Sequence, residues 1–84
     1  MMSRYTDTIR TAITTYMDPP QRTDEPTLDL LEAMCRYEAG GTLEYCSDEW
    51  IAAFSVETLC HLEDEPEAIP LICGSLQVTI PTWV

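Results

Sequence analysis

His61 is the only histidine of the chain, and Glu57 and Glu65 stand four residues to either side of it. On a helix this spacing stacks the imidazole between two carboxylates, a pattern that serves proton transfer. Cys60 and Ser55 are the nucleophiles nearby, yet Cys60 adjoins His61 in sequence, and adjacent residues of a helix project in different directions. Gly40-Gly41 and Gly74 lack the spacing and the following lysine of a phosphate-binding loop. With 15 Asp+Glu in 84 residues, close carboxylate pairs arise by chance and single out no acid–base couple. A nucleophile, a base and an oxyanion donor cannot be assembled, so the chain reads as non-enzymatic, with no cofactor.

Cys35, Cys46, Cys60 and Cys73 lie 11, 14 and 13 residues apart. Structural zinc sites draw ligands from tighter pairs such as C-x-x-C, and only Cys60-His61 offers two neighbouring donors, so no metal is expected. The opening Met-Met-Ser-Arg-Tyr-Thr-Asp carries no apolar export segment. That predicts a cytoplasmic protein whose thiols stay reduced and pack as small apolar side chains.

Charge is the dominant chemical feature. Four arginines and no lysine oppose the acids, for a formal charge of −11 and a pI near 4.1. Binding to a phosphate backbone or to an anionic membrane surface needs clustered Lys or Arg, so neither nucleic acid nor membrane is an expected partner. All four arginines fall within residues 1–36, whereas residues 37–84 hold nine acids and no arginine or lysine. Glu63-Asp64-Glu65-Pro66-Glu67 stands where a helix should end, facing the negative end of its dipole at a cost of about 0.3–1 kcal/mol per exposed acid. Helix stability does not account for that run. It is either a solvated turn or a docking patch for a basic protein, and the acids expected to meet such a partner are Glu44, Asp48, Glu49, Glu57, Glu63, Asp64, Glu65 and Glu67.

Carboxylates three or four residues apart on a helix lie about 5–6 Å apart, a spacing that can imitate phosphates. The first functional expectation is therefore a small inhibitor that blocks a basic, nucleic-acid-binding surface by DNA mimicry. In size, charge, lack of lysine and lack of a catalytic set, the chain is similar to the small acidic inhibitors that phages encode against host defence and nucleic-acid enzymes, the anti-CRISPR proteins among them. The likeness is one of composition and rests on no motif. The second expectation is an adaptor or oligomerisation module, with acid as its solubility device. It would use a C-terminal edge strand, which could also pair two copies as a homodimer, and the Pro81-Thr82-Trp83-Val84 tail. The plain alternative for Trp83 is that it folds back over the core.

Three helices must position these groups. Tyr5, Ile9, Ala12, Ile13, Tyr16 and Met17 repeat at helical spacing within residues 3–17, with Ser3 as N-cap, Asp18-Pro19-Pro20 as terminator and threonines on the other face. Residues 26–39 follow, with Leu28, Leu31, Met34 and Cys35 inward and Leu30 with Tyr37 widening that stripe, Gly40-Gly41 as the stop and the row Glu25, Asp29, Glu32, Arg36 as an ordinary solvated face. Residues 48–63 form the third, capped by Ser47 and allowed a bend at Ser55. Alternation at Leu43-Glu44-Tyr45 predicts a short strand. Alternation at Leu76, Val78 and Ile80 after Gly74-Ser75 predicts a hairpin with Leu71-Ile72-Cys73. The expected class is a single α+β domain over residues 1–84, with an all-α chain carrying an extended tail as the alternative. Ile9, Ile13, Leu28, Leu31, Met34, Ile51, Phe54, Leu59 and Val78 form the expected core.

Overall fold

Ser3, Asp24 and Ser47 each start a helix by accepting a bond from the backbone three residues on. Ser3 Oγ takes the Thr6 N–H at 3.2 Å, the Asp24 carboxylate the Thr27 N–H at 3.4 Å, and Ser47 Oγ the Trp50 N–H at 3.1 Å. The computed structural model describes residues 3–19 and 22–84, and the helices these caps open are α1 (Arg4–Tyr16), α2 (Glu25–Glu38) and α3 (Asp48–Asp64). Helix α2 stops on a glycine pair at positive φ, 89° at Gly40 and 119° at Gly41, where the Gly41 N–H closes a 2.8 Å bond to the Arg36 carbonyl. Only glycine adopts such angles without strain. Helix α3 runs unbroken through Ser55, which is buried and lies 3.3 Å from Cys35 Sγ, and ends before Pro66.

The C-terminal quarter corrects the sequence reading. Among the described residues there is no strand, and the α+β expectation gives way to an all-helical fold. A single 3-10 turn, Pro66–Ala68, leads directly into α4 (Ile69–Leu76), where the hairpin was expected. Ile69, Ile72, Cys73 and Leu76 sit at i, i+3, i+4 and i+7, a helical stripe that coexists with the strand-like alternation further on. Ile69 and Cys73 are buried by it, while Leu71 points outward. Pro70 limits a strand but suits the first turn of a helix, where no N–H partner is needed. The helix ends at Gln77 in the left-handed conformation, φ 59° and ψ 45°, with the Val78 N–H bonded to the Cys73 carbonyl at 3.1 Å. Residues 78–80 form no ladder, so the edge strand proposed for a homodimer does not exist.

The expected strand at 42–46 is a turn, closed by the Cys46 N–H on the Leu43 carbonyl at 3.1 Å. Leu43 is buried and Tyr45 is exposed, so the two apolar residues of that alternation face opposite environments. A strand face would have kept them together.

Helix α1 lies mainly against α3 and secondarily against α2, and α4 packs on α2. Ile9, Ile13, Leu28, Leu30, Leu31, Ile51, Leu59 and Ile69 form the sealed centre, with Leu43 and Leu62 at its margins. Of the expected core, Met34, Phe54 and Val78 are half-buried. Cys35 and Cys73 pack in the core, where burial raises both thiols above their usual pKa; Cys60 is exposed. No helix among the described residues is long and apolar enough to cross a membrane.

Candidate acidic interface

The arginines decide which acids are available. Arg4 Nη2 lies 3.8 Å from Asp48, Arg10 Nη1 2.9 Å from Asp7, Arg22 Nε 3.1 Å from Glu63 and Arg36 Nη2 2.9 Å from Glu32. Each cation thus faces one carboxylate. Among the described residues, the formal charge of −11 stands on acids with no cationic partner.

Glu32 and Glu63 are tied into the structure. Glu32 accepts the Ser3 and Thr6 hydroxyls on one oxygen, the latter at 2.9 Å, and Arg36 on the other, joining the start of α1 to the middle of α2. Burial alone would raise its pKa, but these hydrogen bonds and the guanidinium outweigh it and hold the carboxyl below the usual glutamate range. The row Glu25, Asp29, Glu32, Arg36 is therefore not wholly a solvated face, and Thr6, expected on the outer side of α1, is buried beneath it. Asp29, one turn away, is shifted upward by partial burial and by the neighbouring charges of Glu25 and Glu32.

Glu63 belongs to a second junction. Its partner Arg22 also stacks 4.5 Å above the Trp83 ring, whose Nε1–H donates to the buried Thr27 Oγ1 at 2.8 Å. Thr27 Oγ1–H in turn donates a hydrogen bond to the Asp24 carboxylate at 2.7 Å. The tail thus folds back over the start of α2, with Pro81 fully buried, and Trp83 is spent inside the molecule.

The other expected contact acids are exposed and fall into three places. Asp64 ends α3, Glu65 follows it, and Glu67 lies in the 3-10 turn. Asp48, Glu49 and Glu57 instead border an open groove of about 800 Å³ between α1 and α3, together with Asp7, which the sequence reading left out. Glu44 lies apart in the turn before α3, where its N–H meets Thr42 Oγ1 at 3.2 Å. On α3, 100° per residue puts Glu49, Glu57 and Asp64 within about 80° of arc, at steps of about 12 and 10 Å along the axis. Those steps are about twice the 5–6 Å spacing of carboxylates one helical turn apart, so the row is sparser than neighbouring phosphates.

The groove's floor is small and mostly apolar: Thr8, Thr11, Ala12 and Thr15 from α1, Ala52, Ala53 and Val56 from α3, with Tyr16 at one end. The Arg4–Asp48 contact sets the N-termini of α1 and α3 side by side, two positive dipole ends that Asp7, Asp48 and Glu49 offset. The threonine row of α1 was visible in the sequence, but its pairing with Ala52 and Ala53 needed the tertiary fold. A second groove, between α2 and α4, is bordered by Met34, Phe54, Ile72 and Leu76 with Tyr37 and Leu71 projecting, and Glu38 is its only charge.

His61 and Cys60 are both exposed. No group of three His, Cys, Asp or Glu side chains among the described residues could hold a metal ion. Comparisons of the chain with protein-family models, with curated proteins and with solved structures found no match.

Proposed function

We propose that this protein acts in the cytosol as a non-catalytic inhibitor, covering a basic nucleic-acid-binding surface of a larger protein with its own carboxylates. The observation that carries the reading is that every arginine faces an acid, so that among the described residues −11 of charge stands without a cationic partner. A soluble surface is obtained as well with mixed charge and less self-repulsion, so an uncompensated acidic face has a use beyond solubility. Glu49, Glu57 and Asp64 set three bare carboxylates along one side of α3, and long-range attraction would speed encounter with a basic target. The exposed thiol of Cys60 suits a reducing compartment.

The test is capture from a cell extract on the immobilised protein at about 50 and about 500 mM salt, a range over which exposed charge pairs are progressively screened. Nucleic-acid-binding proteins should be retained at low salt and released by added duplex DNA of mixed sequence. A retained set that withstands both salt and DNA would overturn the reading.

The α2–α4 groove favours a second reading, an adaptor or self-associating module. Tyr37 and Leu71 are 77% and 76% exposed there beside a nearly uncharged surface. Apolar association of that kind survives high salt, and a Leu71→Asp variant should abolish it.

A further inference from the structure

We infer that the groove between α1 and α3 is the seat for a cationic amphipathic helix of the partner protein. The inference rests on the proposed function above and names the chemistry that this part of the acidic surface recognises.

Three features of the groove fit one occupant. Its length comes first: Asp7 to Tyr16 on one wall and Asp48 to Glu57 on the other each span about 14 Å at 1.5 Å per residue, two and a half helical turns. Next is its floor, where Ala12, Ala52 and Ala53 carry no side chain beyond Cβ, so a third helix can approach to the short end of the 8–10 Å interaxial range. The third is its rim. Glu49 and Glu57 have no cationic partner among the described residues, and they lie eight positions apart on α3, which an incoming helix matches with Lys or Arg at i and i+7 or i+8. Asp7 and Asp48 stand at the same rim in surface pairs with Arg10 and Arg4. Such exposed pairs are weak enough to rearrange.

The chain itself does not supply this occupant. Two copies, each at −11 and with four arginines against 15 acids, repel. A DNA strand is excluded by the same charge. What remains complementary is an apolar stripe of small or medium side chains flanked by cations, that is, an amphipathic basic helix.

The experiment titrates the 84-residue protein with a synthetic helix of about 14 residues, bearing Ala and Leu at i, i+3, i+4 and i+7 with lysines on both flanks, and with a scrambled peptide of identical composition. Isothermal titration measures affinity, and amide shift mapping reports Thr8, Thr11, Thr15, Ala52, Ala53 and Glu57. The amphipathic peptide should bind at least about tenfold more tightly than the scramble and shift the groove amides selectively. Ala53→Trp fills the groove without changing charge and should remove that advantage; Glu49→Gln with Glu57→Gln should weaken both peptides and flatten the salt dependence. Equal binding of the two peptides to the unaltered protein, or binding of the amphipathic peptide unaffected by a folded Ala53→Trp, overturns the groove while leaving an acidic docking surface intact. Failure of both peptides to bind at low salt overturns the groove and the acidic-surface reading together.

Discussion

On α2, Glu32 accepts hydrogen bonds from two hydroxyls and a guanidinium, whereas on α3 Glu49, Glu57 and Asp64 stand in solvent with no arginine paired to them among the described residues. The residue type is the same and the physical consequence is opposite. A carboxylate with donors around it stabilises the fold, because breaking the set strands charged or polar groups that have no other partner. A bare carboxylate among other acids adds repulsion, which stability alone does not reward. The contrast gives a practical rule for this molecule: substitutions at the partnered acids and their neighbours should be read in stability, and those at the bare acids in binding.

The largest effect expected on the partnered side is at Trp83, which closes the junction of Arg22, Thr27 and Glu63. A domain of this length has about 4–13 kcal/mol of stability in total. Trp83→Ala removes a half-buried indole, a hydrogen bond and a cation–π contact, and should cost about 2–4 kcal/mol in chemical denaturation. Trp83→Phe keeps the ring beneath Arg22 but loses the Nε1–H, and should cost about 1 kcal/mol. Wild-type stability in the Ala variant would mean that the tail is not a structural closure, and the distinction between the two regions would lose its clearest example.

Glu32 comes next. Glutamine in its place keeps one acceptor oxygen for Ser3 and Thr6 but turns an amide donor toward Arg36, so Glu32→Gln should cost about 1–2 kcal/mol. The titration follows from the signs. The folded-state pKa of Glu32 is lowered, so its contribution is fully present above its unfolded pKa and is lost as pH falls through the folded one. Asp29 is raised, so its ionised form opposes folding, and that penalty is relieved as pH falls through its folded pKa. Denaturation midpoints measured downward from pH 7 should therefore drop as the Glu32 contribution is lost, with the relief at Asp29 offsetting part of the loss, and the Glu32→Gln variant should show a smaller drop.

Much of this architecture could be read from the chain, and the failures have physical causes. Ser3 and Ser47 as caps, Gly40-Gly41 as a stop and Pro66 as a terminator act within a few residues, so their meaning is local and survived folding. Leu76-Gln77-Val78-Thr79-Ile80 is equally local but too short to fix a period, and the competing stripe of Ile69, Ile72, Cys73 and Leu76 won once α4 could pack on α2. The acidic surface was legible as composition. Its division was not, because Glu63 is set apart from Asp64 and Glu65 only by Arg22, 41 residues earlier. The groove was hidden for the same reason, its two walls lying far apart in sequence.

A smaller effect is expected at Gln77, the one described non-glycine residue at positive φ. A side chain with a Cβ is strained in that conformation, and nothing else in the helix stop requires glutamine. Gln77→Gly should relieve that strain, and glycine's greater loss of chain entropy on folding holds the gain to about 0.5–1 kcal/mol. An unchanged or lowered denaturation midpoint would show that the stop of α4 is not held under strain.

The smallest effect gives the sharpest comparison, because both residues lie on α3 and carry the same side chain. Glu63 is three-quarters buried and bonded to Arg22, which also holds Trp83, so Glu63→Gln should cost about 1 kcal/mol, more than a fully exposed pair would. Glu57 is exposed, away from both ends of the helix, and without a cationic partner among the described residues. There the dipole has no hold, glutamine is as good a helix former, and removing one charge from −11 lowers the repulsion the folded state carries. Glu57→Gln should leave stability unchanged or raise it by about 0.1–0.5 kcal/mol, with the gain shrinking as salt is added. Paired denaturation curves at low and high salt would read the two signs directly. A loss at Glu57 comparable to that at Glu63 would mean that the exposed acids also hold the fold together, and the case for assigning them to a partner would lose its physical basis.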